Sequence, residues 1–157
     1  MTYPITPCLW FDDQAEEAAA FYTSLFPDSR ILSTVPYPEG APGPTGSVML
    51  VDVEIDGSRL QLLNGGPLFT FSEAISLVVT VDTQEEIDRL WDGLTAGGGE
   101  PGQCGWLKDR FGVSWQVAPA GLQEMAADPE RFARAMQAVL RMTKLDLASM
   151  NAAADGV

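Results

Sequence analysis

The sequence predicts an α+β fold of two tandem β-α-β-β(-β) modules, whose curved mixed sheets form a cleft, followed by C-terminal helices. Three observations predict it. Short apolar strands alternate with amphipathic helices in the same order twice over. Each half closes on a strand with Gln between apolar residues, Leu60-Gln61-Leu62 and Trp115-Gln116-Val117. Beyond residue 119 the strand pattern gives way to helical spacing. The expected limits are 4–66 for module one, 74–119 for module two and 120–152 for the helical extension, all within one domain of 157 residues.

Module one starts with an apolar strand at residues 5–11, where Pro7 needs no ladder donor. Asp13 is the expected helix N-cap, and Glu16 completes a capping box. Ala15, Ala18, Ala19, Tyr22, Leu25 and Phe26 recur on one helical face, and Pro27-Asp28 stops the helix. Residues 30–35 read as a second strand. The Pro- and Gly-rich stretch 36–46 is a loop, either a linker or a lid over a cleft. Strands at 47–55 and 58–63 flank Asp56-Gly57, a strong signal for a two-residue hairpin turn.

The pattern restarts with a β-branched strand at 75–81. Thr83 and Glu86 form another capping box, and Ile87, Leu90, Trp91 and Leu94 make one apolar face. Gly97-Gly98-Gly99 ends that helix. The interval from helix to closing strand is shorter than in module one, so a stunted or missing strand is expected near Glu100-Pro101-Gly102. Residues 103–117 read as strand, turn, strand, with Asp109 capping backbone amides and Gly112 completing the turn. In the extension, Asp128-Pro129 starts a helix with a stripe of Phe132, Ala135, Met136, Val139 and Leu140. Asp146 caps a short last helix through Met150, with fraying after Ala152. The stripe needs cover, from the chain's own body or from a subunit partner.

Composition excludes several functions. The net charge of −13, from 22 acidic and 9 basic residues, repels phosphate backbones, so no nucleic-acid partner is expected. No apolar run reaches the ~18–20 residues that span a membrane, and no secretory signal is visible. The expected compartment is the cytoplasm, where Cys8 and Cys104 stay reduced; Cys8, on an apolar strand, is read as buried. The chain has no histidine. That removes the usual general base and the commonest metal ligand.

The candidate ligand-binding residues are Trp10, Gln61, Asn64, Trp106, Trp115 and Gln116. The two glutamines either hydrogen-bond a ligand or satisfy each other and the backbone. The three tryptophans are either rigid walls for a planar ligand or core. Cys104 is the candidate nucleophile, although only Lys108 is at hand to activate it, on the same strand face about 13 Å away. No pair of carboxylates is spaced as an acid/base dyad.

Phe21-Tyr22 near the end of the first helix and the Asp109-x-x-Gly112 turn resemble the vicinal oxygen chelate superfamily of glyoxalases, bleomycin-binding proteins and extradiol dioxygenases. Pro4-Ile5-Thr6-Pro7-Cys8-Leu9-Trp10-Phe11, Phe21-Tyr22-Thr23-Ser24-Leu25-Phe26, Leu63-Asn64-Gly65-Gly66-Pro67, residues 71–77 and residues 103–116 are similar to its PhnB-like branch, often labelled demethylubiquinone methyltransferase-like. The resemblance implies one metal ligand from the first and last strand of each module. Those positions fall near Pro7, at Gln61, near Ser76 and at Gln116. Amides and a hydroxyl are poor ligands for zinc, nickel or iron, so neither a metal nor another cofactor is expected. The expected function is non-enzymatic small-molecule binding in the inter-module cleft by a homodimer. The alternatives are a metal-dependent lyase, dioxygenase or thiol transferase, and a structural dimer with a filled cleft.

Overall fold

The computed structural model describes residues 5–157. Pro4, the expected start of module one, lies outside them. The chain divides into two compact units, Met1–Phe71 and Ser72–Val157.

Unit 1 contains β1 (Cys8–Phe11), α1 (Ala15–Leu25), β2 (Arg30–Pro36), β3 (Val48–Ile55) and β4 (Ser58–Asn64). The sheet order is β1-β4-β3-β2, with β1 parallel to β4 and the other pairs antiparallel. The hairpin forms as its dipeptide predicts: Asp56 at φ 44° and Gly57 at φ 78° make the left-handed pair that matches strand twist. Alternation then sorts β3. Val51, Val53 and Ile55 are buried under α1, while Asp52 and Glu54 point to the other face. Ala15, Ala18, Ala19 and Tyr22 meet them from the helix. Each large buried side chain contributes about 1.5–3 kcal/mol.

The start of α1 differs from expectation. Gln14 occupies the N-cap position with no side-chain hydrogen bond, and neither Asp13 nor Glu16 forms a capping box. Asn64 on β4 replaces them: its Oδ1 accepts from Ala15 N at 2.8 Å. A cap supplied from 49 residues away leaves no local signature.

Unit 2 contains β5 (Leu77–Val81), α2 (Gln84–Thr95), β6 (Glu100–Pro101), β7 (Trp106–Lys108), β8 (Ser114–Pro119), α3 (Gly121–Met125), α4 (Pro129–Val139) and α5 (Leu147–Asp155). Its order, β5-β8-β7-β6, repeats that of unit 1, and the stunted strand is the two-residue β6. The Thr83–Glu86 capping box forms, and Ile87, Leu90, Trp91 and Leu94 are buried. Among the described residues the architecture is therefore α+β, with two four-stranded mixed sheets and five helices.

The extension packs within unit 2. Ala135, Val139, Leu145, Met150 and Ala154 form a core, against which Leu122, Met125, Met136 and Met142 rest. The stripe is thus covered by the chain's own body, except that Leu140, just past the end of α4, is 63% exposed. The last helix does not fray at Ala152. It continues to Asp155, where Arg131 pairs with the Asp155 carboxylate at 2.6 Å and Gly156 ends it in the left-handed conformation.

Candidate functional site

Directly paired residues of neighbouring strands share a face. In unit 1 the face away from α1 therefore carries a cross-strand row, Cys8, Gln61, Asp52 and Ser33. The Asp52 carboxylate holds this row together. It accepts from Gln61 Nε2 at 3.1 Å and from Ser33 Oγ at 2.9 Å. Cys8 is exposed, not buried as its strand suggested, because β1 begins there and its side chain falls on the open face. Partial burial of the thiol pushes its pKa up, and the negative charge of Asp52 adds to the rise.

One step along the same face stands Trp10, half-buried. Its indole N–H donates to Gly66 O at 2.8 Å, and its ring meets Phe69 edge-on at 5.0 Å. Gly65 lies flat against the ring; a Cβ there would fall 2.2 Å from a ring carbon. Asn64 points to the opposite face and is 9% exposed. Besides capping α1, it donates from Nδ2 to Val48 O at 3.0 Å, so it is first of all a brace between strand and helix.

In unit 2, Gln116 lies opposite Trp106 on β7 and Val78 on β5. Its Nε2 donates to Ser76 Oγ at 2.8 Å. Trp115 is not on this face. It is 3% exposed, and its indole N–H donates to the buried Asp109 carboxylate at 2.9 Å. The other Asp109 oxygen accepts from Phe111 N and Val113 N, which confirms the expected turn.

Cys104 is not on a strand. It sits at φ 59° in the turn before β7, where its N–H donates to Met142 O at 2.7 Å and its side chain rests on the helical core. Lys108 is engaged elsewhere, with Glu73 at 2.6 Å. That pairing raises the Lys108 pKa and lowers that of Glu73. Nothing in this arrangement activates a thiol.

The residues at the superfamily's ligand positions do not fit a divalent transition metal. In unit 1 they are Gln61 and, next to Pro7, a Cys8 whose thiolate is disfavoured. In unit 2 they are Ser76 and Gln116, hydrogen-bonded to each other. Among the described residues no group of three or more His, Cys, Asp or Glu is placed to hold a metal ion. None of the helices there is long and apolar enough to cross a membrane.

Sequence reasoning missed Cys8, Asp52 and Ser33. The signal for Asp52 was present: a two-residue turn at Asp56-Gly57 puts Asp52 opposite Gln61 by counting back along both strands.

A family model described as 3-demethylubiquinone-9 3-methyltransferase matches residues 3–118. No curated protein matches the chain. Among solved structures, a PhnB protein from Bacillus cereus is 38% identical, covering 75% of this chain and 100% of its own, with a TM-score of 0.68. Protein PA1353 from Pseudomonas aeruginosa is 22% identical, over 75% of this chain and 98% of its own, with a TM-score of 0.62. The fosfomycin resistance protein FosX from Listeria monocytogenes, in complex with Mn(II) and sulfate, is 13% identical, over 81% and 98%, with a TM-score of 0.56. The last two share the fold.

Proposed function

The chain belongs to the 3-demethylubiquinone-9 3-methyltransferase family, the PhnB-like branch of the vicinal oxygen chelate superfamily, and from this premise we propose that it binds a small molecule on its open strand faces without a catalytic metal. One observation carries the reading. In each unit a half-buried Gln stands near a half-buried Trp on one face of the sheet: Gln61 near Trp10, and Gln116 opposite Trp106. Each amide is oriented by a partner, Asp52 or Ser76, that takes its N–H and leaves Oε1 to accept from a ligand. A flat, largely apolar molecule with hydrogen-bond donors suits such a surface.

Methyl transfer, which the family's name carries, finds little support. A nucleoside methyl donor on a doubly wound fold rests on a glycine-rich turn between strand and helix. Here β1 is followed by Asp12-Asp13-Gln14 and β5 by Asp82-Thr83, and neither turn contains glycine. The degenerate metal positions argue equally against the lyase, dioxygenase and thiol-transferase chemistries.

A thermal-shift screen with aromatic, donor-bearing compounds tests the reading. We expect hits whose affinity falls about tenfold, roughly 1.4 kcal/mol, in Gln61→Leu or Gln116→Leu. Full occupancy of the purified protein by a transition metal would overturn the proposal, as would a screen whose every hit ignores both substitutions.

The same reading includes a homodimer and a cytoplasmic setting. Leu68 and Phe69 in unit 1, and separately Ile75 and Val78 in unit 2, are each more than half exposed, apolar side chains that a second copy would cover. Both cysteines are unbridged, as in a reducing compartment. Light scattering that returned a monomer mass at micromolar concentration would remove the dimer.

A further inference from the structure

Ser114, the first residue of β8, is 1% exposed, and among the described residues its Oγ is a buried side-chain oxygen with no hydrogen-bond partner. A buried hydroxyl in that state is unfavourable until an incoming group pairs with it. Strand parity puts Ser114 on the face that carries Gln116, two residues further on. Across the ladder it lies directly opposite Lys108, just as Gln116 lies opposite Trp106. The unpaired hydroxyl therefore belongs to the open face of unit 2, beside the amide already oriented by Ser76.

An ion pair crosses the strand at this point. β8 runs between β5 on one side and β7 on the other. Glu73 comes from the turn that leads into β5 and Lys108 from β7, and their charged groups meet at 2.6 Å. The pair thus spans β8 near its start, on the face where Lys108 and Ser114 stand side by side. The Glu73 side chain is exposed and that of Lys108 is only partly covered, so water screens their attraction and the bridge is weakly held. Glu73 lies outside the strands, so its release disturbs no ladder.

These groups select a chemistry. A second carboxylate in place of that of Glu73 keeps the Lys108 ammonium paired and also gives the Ser114 hydroxyl an acceptor, a charge-assisted hydrogen bond that Glu73 does not make. Gln116 Oε1 asks for a donor, because its Nε2 is spent on Ser76. Two residues of strand separate Ser114 from Gln116, about 7 Å, the span of a benzene ring with a group at each para position. The half-buried Trp106 ring beside Gln116 suits an aromatic body between the two ends.

We propose that Ser114, Lys108 and Gln116 form a subsite for an aromatic carboxylate with a hydrogen-bond donor at its far end. The ligand's carboxylate displaces that of Glu73 from Lys108 and accepts from the Ser114 hydroxyl, while its donor reaches Gln116 Oε1 beside Trp106. The subsite rests on the strand-face reading and deepens it by naming the ligand class of unit 2. The net charge of −13 opposes an anion only at long range, where salt screens it.

Isothermal titration of the full chain with 4-aminobenzoate at neutral pH and about 0.15 M salt tests it. 4-Aminobenzamide serves as the uncharged counterpart and benzoate as the carboxylate without a far donor. Saturable 4-aminobenzoate binding is expected, with the amide at least about tenfold weaker and benzoate about threefold weaker. Ser114→Ala should weaken 4-aminobenzoate by about fivefold or more without lowering the melting midpoint. Glu73→Gln, at an exposed position, should instead tighten it by about threefold, because the competing carboxylate is gone; loss of a merely structural contact would not produce that gain. Gln116→Leu should weaken 4-aminobenzoate more than benzoate. Absence of saturable 4-aminobenzoate binding, equal affinity for the amide, or affinity unmoved in either Ser114→Ala or Glu73→Gln would overturn the proposal. Aromatic hits from the thermal-shift screen that still depend on Gln61 or Gln116 would then leave the strand-face reading standing, so the two failures are distinguishable.

Discussion

Unit 1 and unit 2 repeat one strand order but hold it by different local chemistry. In unit 1 a single buried amide, Asn64, ties the last strand to the helix N-terminus and to β3. In unit 2 the helix caps itself through Thr83 and Glu86, and the tie is moved to the closing hairpin, where Asp109 fixes the turn and the Trp115 indole. Three C-terminal helices then build a core of their own, against which Cys104 of the turn before β7 rests. A repeated topology thus requires repeated burial, while the polar groups that lock it are free to move from one element to another.

The largest effect expected from breaking that contrast is at Asp109. Its carboxylate is 2% exposed and accepts from two backbone amides and one indole. Asp109→Ala leaves those buried donors unpaired, at a cost of about 3–5 kcal/mol. Urea unfolding checks this, and a loss below about 1 kcal/mol would mean that the turn holds without its acid.

Next comes the pair of helix caps. Asn64→Ala removes a buried acceptor and a buried donor together and should cost about 2–3 kcal/mol, whereas Thr83→Ala removes an exposed cap worth about 1 kcal/mol. Equal losses would erase the distinction between a cap lent by the sheet and one built into the helix.

These two caps also show what was legible in the sequence. Thr83, Asp128 and Asp146 were readable because a cap and the amide it serves lie within three residues of one another. Asn64 was not, because the chain must first place β4 beside α1. Trp115 misled for a similar reason: strand parity assigns it to the face opposite Gln116, but only the fold shows Asp109 waiting there for its N–H. Cys104 was placed on a strand by pattern, and the left-handed turn that carries it depends on Met142 and Thr143, far along the chain. The succession of strands and helix along the chain was readable in both halves, because the periodicity and the helix stop signals agree with one another, joined in the first half by the Asp56-Gly57 turn.

A smaller effect, of opposite sign, is expected at Ser114. Its residue is 1% exposed and its Oγ has no hydrogen-bond partner among the described residues. Ser114→Ala removes an unsatisfied buried hydroxyl and should raise stability by about 1 kcal/mol. A loss of that size instead would reveal a partner for the hydroxyl in solution. No counterpart exists in the polar row of unit 1, where Asp52 satisfies both of its neighbours.

The most delicate test concerns that row. In a Cys104→Ser background Cys8 is the only thiol, and its alkylation by iodoacetamide can be followed against pH. The folded protein disfavours the thiolate, first by partial burial and then by the nearby Asp52 charge. The midpoint of the rate profile should therefore lie above that of the urea-unfolded chain, and Asp52→Asn should lower it without abolishing the difference. The sign carries over to stability. Cys8's contribution is fully present below the unfolded thiol's pKa and is lost as pH rises through the folded one. A midpoint at or below the unfolded value would make Cys8 a thiolate ready for a metal or an electrophile, and the open face of unit 1 would then be a reactive surface instead of a neutral ligand platform.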